Sequence, residues 1–475
     1  MTTNVSKHFR AIAMALLLFG AFPSSSDAQT AGAPPKVLKL EDALNYALQH
    51  YPAVRASLEQ VNAAHTSVTL ARTQYLPQLN GVYQVSRATQ NQVPGIWLPT
   101  SITPTVEGPI GPSSGNSFWG SQAAVLFSWE PLDFGLRSTK VGQARSAEEK
   151  SRADLALTQL QVATAVGNYF LLAVVNQQAV QAAQASVERW QVFDKSTHVL
   201  VDNELRPGAD ASRADAELAR AKTRLYRAQQ AQREALDTLA SLMGAAGTEI
   251  QLDGGPLTGL PQTALSESPA SDHPLARDQM ATVRQIQAEE KTVQKSNYPR
   301  LFLQGEGFAR GSEVPNNGSY IGNWNGAAPA RGNWVTGVTI LFPDVFSFKA
   351  RSAEEQISKA HERAQLAHYD QTVQDLTGQI RAARDQLKGA ELVAQETPTE
   401  LTAAQQTETQ SRVRYESGLT TIVEVAEAEN LLAQAEMDDA IARLSVWRGL
   451  FSVAYAQGDL QSFLQVLHAT TAGGR

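Results

Sequence analysis

The chain repeats its own punctuation. Tyr51-Pro52 is followed 25 residues on by Leu76-Pro77, and His273-Pro274 is followed 25 residues on by Tyr298-Pro299. A third pair of markers comes next, WEPLDFGLRS around Pro131 and LFPDVFSFKAR around Pro343. A fourth pairs NELRPGADASRAD around Gly208 with RYESGLTTIVEV around Gly418. The offsets are 222, 222, 212 and 210 residues, and four markers in one order make an internal repeat rather than chance. Any fold for this chain must therefore build one plan twice. The expected organisation is repeat 1 over 40–250, a Pro/Gly-rich linker over 251–272, repeat 2 over 273–468 and a tail over 469–475.

Each half reads as helix, strand, loop, strand and long helical hairpin. In the first, an Ala/Gln/Leu-rich helix from Leu40 ends before Pro77, and strand 79–90 alternates Leu79, Gly81, Tyr83, Val85 against Asn80, Gln84, Ser86. Loop 91–117 holds five prolines, strand 118–130 follows, and a helical hairpin turns at 206–210. The second half gives strands 301–310 and 333–342 around loop 311–332, with a hairpin turning at 416–420. The in/out phase of its last strand is ambiguous, because both parities carry apolar residues. The spans from Pro131 to Gly208 and from Pro343 to Gly418 are 77 and 75 residues, roughly 110 Å each if continuous. In the last helix Val423, Ala426, Asn430, Ala433, Met437, Ala440, Leu444, Trp447, Phe451 and Ala454 step by three and four, a heptad seam for packing long helices.

The N-terminus reads as a secretory signal over 1–28: Lys7 and Arg10, an apolar run from Ala11 to Phe22, then Ser26-Asp27-Ala28. A short linker, 29–39, follows it. Removal of the signal shifts the formal charge from -7 to -8, a poor match to nucleic acid. No cysteine occurs, which excludes disulfides, thiolate metal sites, cysteine nucleophiles and a lipoprotein anchor. Beyond the signal no apolar stretch of spanning length is read, so membrane crossing requires a closed β-barrel. Four strands are too few for one. The chain must therefore oligomerise or not span. Three copies would supply twelve strands, which the long helices would continue as a tube. If the chain spans, the expected fold is an α+β membrane protein with a long antiparallel α-helical barrel continuous with a trimeric 12-stranded β-barrel, the arrangement that the resemblance given next implies.

These motifs resemble the TolC-like outer-membrane efflux proteins. The likeness rests on Pro77 and Pro299, the WEPLDFG and LFPDVFS junctions, and the turn Tyr415-Glu416-Ser417-Gly418-Leu419 with TTIVEV after it, and it spans residues 37 to 468. The resemblance implies a homotrimer in the outer membrane of a Gram-negative-type bacterium, in contact with outer-membrane lipid, with its helices in the periplasm. It also implies a periplasmic adaptor and an inner-membrane pump of RND, ABC or MFS type. The implied function is passive export of small molecules; the alternatives are a type I protein-secretion duct or a non-porous periplasmic coiled-coil scaffold. The two turns, Arg206-Pro207-Gly208-Ala209 and Ser417-Gly418-Leu419, become candidate adaptor contacts. The first departs from the usual Gly-Leu pattern. Glu424, Glu427 and Tyr415 match a periplasmic gate, although Thr421-x-x-Glu424 also reads as a capping box. The basic residue found two places after the turn glycine in some members is Thr420 here. No catalytic, cofactor or metal motif is read; His361 and His368, seven apart, fit an exposed helix face.

Overall fold

A computed structural model describes residues 37–90, 114–261, 265–313, 324–343 and 348–473. The signal segment 1–28 and most of the two expected interstrand loops lie outside the described residues. The order is β1 (Val37–Leu38), α1 (Leu40–His50), α2 (Pro52–Thr73), β2 (Gln78–Gln90), β3 (Ser114–Leu132), α3 (Leu136–Asp202) and α4 (Gly208–Leu242). Then come β4 (Gln251–Leu252), α5 (Pro274–Ser296), β5 (Arg300–Ser312), β6 (Arg331–Leu341), α6 (Phe348–Glu416), α7 (Ile422–Gln457) and α8 (Leu460–Gly473). Helix, two strands, long helix and helix therefore occur twice in succession.

Prolines set several boundaries by geometry. Pro52 and Pro274 each sit at the first position of a helix, where a missing N–H costs nothing. The expected single helix from Leu40 is thus two, broken at the extended Tyr51. Pro131 does not start the long helix. It lies within β3, at a register break between Trp129 and Leu132 where its lost donor is tolerated. The helix begins only after Phe134 and Gly135, both at positive φ. Once begun, α3 runs unbroken for 67 residues, about 100 Å at 1.5 Å per residue. Its partner α6 has 69 residues and carries Pro398 inside it; next to that proline the Thr397 hydroxyl donates to Asp439 across to α7.

Strands β2, β3, β5 and β6 form one antiparallel sheet in that order. The register settles the ambiguous phase of β6. Gly81, Val125, Gly307 and Trp334 stand in line, so Trp334, Thr336, Val338 and Ile340 share a face with Leu79, Tyr83, Val85, Phe127 and Trp129. That face is apolar and open: Leu79 is 70% exposed, Trp334 79% and Val338 64%. The opposite face carries Asn80, Gln84, Gln122, Ser128, Gln304 and Glu306, interrupted by Val82, Leu126, Phe302, Phe308 and Val335. A one-turn 3-10 helix, Asn325–Ala327, covers only the Trp119–Ser121 end of the apolar face. No α-helix of the described residues packs on either face, and β2 and β6 each end the sheet with an unpaired edge.

The main core lies in the helical part. Leu38, Phe170, Leu171, Leu239, Trp447, Phe451 and Phe463 are essentially inaccessible and form one cluster. The first linker and the inter-repeat linker enter this core instead of hanging loose. β1 pairs with β4 in parallel, Leu257 is buried, and the indole of Trp447 donates to the Gly259 carbonyl at 2.7 Å. The expected tail is also helical to Gly473 as the end of α8. Burying Leu38, Leu257 and Phe463 removes apolar surface that loops would expose, which is why these segments order.

Two further expectations need correction. By composition α3 does contain an 18-residue stretch of mean hydropathy 1.3, half of it buried. Val162, Val166, Phe170 and Val174 from this helix pack into the main core, so its apolarity serves burial in protein. The heptad seam of α7 is buried from Leu444 to Ala454 and at Ala426, but Asn430, Ala433, Met437 and Ala440 are only half-covered and Val423 is exposed. The buried line there runs through Ile422, Val425, Leu432, Ala435 and Ala442. Those residues face α3 and α6 of the same chain, and two stripes of one helix cannot both face a single neighbour.

Candidate functional site at the hairpin turns

The two long hairpins turn by the same hydrogen-bond pattern. In the first, the Leu205 N–H donates to Leu200 O at 2.9 Å and the Glu204 N–H to Val201 O at 2.9 Å. In the second, the Leu419 N–H donates to Arg414 O at 2.8 Å and the Gly418 N–H to Tyr415 O at 3.0 Å. Each closes a helix through one left-handed residue, Glu204 at φ 54° and Gly418 at φ 79°. Glu204-Leu205 therefore occupies the place of Gly418-Leu419. The sequence pairing of Gly208 with Gly418 is out of step, because Gly208 is already the first residue of α4, after Pro207 at its N-cap. The turn is 203–207, not 206–210. A glycine was expected at the left-handed position, and a glutamate holds it at a cost of about 1 kcal/mol. Both turn leucines are bare, Leu205 69% and Leu419 70% exposed, as are Pro207, Ala209 and Ser417.

Tyr415 is 1% exposed, and its hydroxyl donates to Asp210 Oδ2 at 2.9 Å. Burial, reinforced by the Asp210 carboxylate, pushes the phenol up to about 12, so it remains a donor at any physiological pH. Its ring packs 5.3 Å from Phe193 and 4.2 Å below the Arg206 guanidinium. Arg206 also donates to the main-chain carbonyls of Tyr415 and Thr420. By turn geometry Arg206 is the counterpart of Thr420. The basic residue missing from the second turn is thus present in the first, and with Asp210 it ties one hairpin to the other.

Glu424 and Glu427 lie on one exposed face in the first turns of α7, and neither forms an ion pair with the described residues. Thr421 is the N-cap, with extended backbone, but it is solvent-exposed and its hydroxyl makes no cap bond. The capping box is therefore not formed, and Glu424 gains only the favourable helix-end dipole.

Two clusters escaped sequence reasoning, because their members are distant in the chain. Arg189 of α3 donates through Nε to Glu429 at 2.7 Å, and through both terminal nitrogens to Glu436 at 2.9 Å each. Burial raises the Glu429 carboxyl, with Arg189 opposing it. Burial also works against the charge of Arg189, but its two carboxylates outweigh that and raise it. The available signal was the pair Glu429 and Glu436, seven apart on the buried side of α7. The second cluster joins Asp194 and His198 of α3 to Asp215 of α4. Burial, then the neighbouring Asp215, raises the Asp194 carboxyl. His361 and His368 are exposed and seven apart on α6.

A four-stranded sheet with one apolar face and bare edges, continued by helices of about 100 Å, is the architecture of an outer-membrane efflux protein. The family model for outer membrane efflux proteins matches residues 43–245 and 262–453, and the chain belongs to that family. It is an outer-membrane protein of the TolC-like class. Among curated relatives, it is 24% identical over 442 residues to the pyoverdine export outer membrane protein OpmQ of Pseudomonas aeruginosa, covering 88% of this chain and 85% of OpmQ. It is 28% identical over 253 residues to protein CyaE of Bordetella pertussis; that match takes in 50% of this chain and spans about half of CyaE, 48%. The open-state MtrE outer membrane channel of Neisseria gonorrhoeae superposes with a TM-score of 0.67 at 18% identity, over 88% of this chain and 89% of that one.

Proposed function

We propose that three copies close their sheets into one 12-stranded barrel and that the assembly is a passive exit duct for small molecules. The observation that carries this is the sheet. Most of its apolar face and both edges are uncovered, an arrangement stable in lipid only when edges pair with other copies. The mixed polar face then lines the lumen, and the helices of the two halves, 40–250 and 273–468, continue the duct on the periplasmic side. A periplasmic adaptor meets the turns through Leu205 and Leu419, whose exposed side chains have no use within the chain. An inner-membrane pump, of RND, ABC or MFS type, supplies the energy. No chemistry is performed on the cargo. Small-molecule export is favoured over protein secretion by the likeness to OpmQ, whose name states pyoverdine export.

The turns form the closed end. Arg206, Asp210 and Tyr415 hold the hairpins together within one chain, while Glu424 and Glu427 from three chains form a ring of negative charge at the axis. Such a ring favours cations and repels itself.

The absence of cysteine makes the closure testable. One cysteine introduced along β2 and one along β6 should cross-link chains into a ladder ending at three on a denaturing gel. A folded monomer in detergent, or no cross-link at any register, would overturn the barrel.

A further inference from the structure

We propose that Asp194, His198 and Asp215 bind one divalent cation of the Zn2+ class, which staples α3 to α4 near the first hairpin turn. Asp194 and His198 are four apart and share a face of α3, while Asp215 faces them from the antiparallel α4. One donor atom from each lies within 4.8 Å of the others. His198 Nε2 is 3.3 Å from Asp215 Oδ1 and 3.8 Å from Asp194 Oδ1. Ligands on a tetrahedral Zn2+ with bonds of 2.0–2.1 Å stand about 3.3 Å apart. The His198–Asp215 pair already has that spacing, and Asp194 reaches it by a side-chain rotation that draws its carboxylate toward the other two.

A second observation is independent of this spacing. Asp194 Oδ1 is sealed from solvent and accepts no hydrogen bond. A buried carboxylate oxygen without a donor is costly. His198 is too far away to donate to it, and Lys222 of α4 acts on it only through its charge. A cation between the helices satisfies that oxygen and separates the two like charges.

One imidazole and two carboxylates form a borderline donor set. It suits Zn2+, Co2+ or Ni2+ better than Ca2+, which wants six or more oxygens, or the softer Cu+. Asp215 is 61% exposed, which leaves an entry path and a position for water. Asp215 is also five residues beyond Asp210, the acceptor of the Tyr415 hydroxyl. A bound cation would thus stiffen the hairpin that carries that bond.

The test uses the untagged trimer in detergent, stripped with chelator and titrated calorimetrically with Zn2+ near neutral pH. One Zn2+ per chain is expected, with a rise in melting temperature. Asp215→Asn and His198→Gln should each weaken binding at least about tenfold while eluting as the wild-type trimer. No Zn2+ binding by the wild type at about 100 µM would overturn the site. So would unchanged binding in both variants, or equal affinity for Ca2+. Export and barrel closure are read from other residues and do not depend on the result.

Discussion

Replacing Arg189 by Met is the sharpest probe of what holds the lower helices together. The stem length is kept and the guanidinium is lost. Glu429, whose side chain is only 5% exposed, then loses a donor at 2.7 Å and its compensating charge. The Ser186 hydroxyl, at 3.4 Å, remains as a weak partner. Glu436 is 21% exposed and recovers part of its loss from water. Breaking a buried pair on one side costs about 3–5 kcal/mol, a fall in melting temperature of roughly 3–10 °C for a chain of this size.

The pH dependence gives a second readout. Burial raises the folded-state pKa of Glu429 above the ordinary glutamate value of 4.5. Its protonated form is therefore favoured by folding. The stability linked to this group is full below 4.5 and is lost as pH rises through the folded value. Without Arg189 the folded value rises further, so the deficit of the variant is largest at neutral pH and shrinks on acidification. Adding Glu429→Gln should recover much of the loss at neutral pH, because no buried charge is left unpaired. Thermal unfolding of the purified protein in detergent, followed by circular dichroism near neutral pH and at about pH 5, measures all three effects. Arg189→Met melting with the wild type, or showing the same deficit at both pH values, would refute the reasoning.

Glu204→Gly should raise stability by about 1 kcal/mol, since glycine adopts positive φ without a Cβ penalty; a loss in a melting assay would show that the glutamate side chain matters more than its backbone. Tyr415→Phe removes the bond to Asp210 and keeps the ring, and planar-bilayer recordings should show longer or more frequent openings than wild type, with an unaltered record arguing against a latch. Glu427→Gln should weaken cation selectivity and block by multivalent cations, leaving the helix intact; equal selectivity would make Glu427 an ordinary solvated residue. Gly167→Val should destabilise by at least about 1–3 kcal/mol, because even a Cβ at this position would lie 2.2 Å from Phe451 Cζ; a wild-type melting curve would mean that α3 and α7 part easily. A tag at Ser113 or Asn317, both outside the described residues, should be labelled on intact cells; labelling only after rupture of the outer membrane would invert the topology.

Much of this protein was legible in one dimension because the determinants are local. Proline before a helix, alternation along a strand and the repeated markers fix element type and order, and observed strand ends differ from the sequence reading by a few residues at most. Tyr415, Glu424 and Glu427 could be singled out as candidates because the second turn, with its glycine, matches the family pattern around them. The first turn was misplaced because its left-handed residue is a glutamate, and a strained backbone position held by a common residue leaves no trace in composition. Linker order was likewise hidden, since two-residue strands at 37–38 and 251–252 exist only through each other.

Sequence by itself determined the four strands, the long helices and their order, which follow from periodicity and steric rules within a few tens of residues. Only the tertiary structure decided which face of β6 is apolar, that Arg206 reaches the second turn, and that Arg189 meets Glu429 and Asp194 meets Asp215. Those contacts join residues up to 240 positions apart. A side chain's partner at that distance depends on how helices of about 100 Å are rotated against one another, and that rotation is set by the whole packed core rather than by any local run of residues.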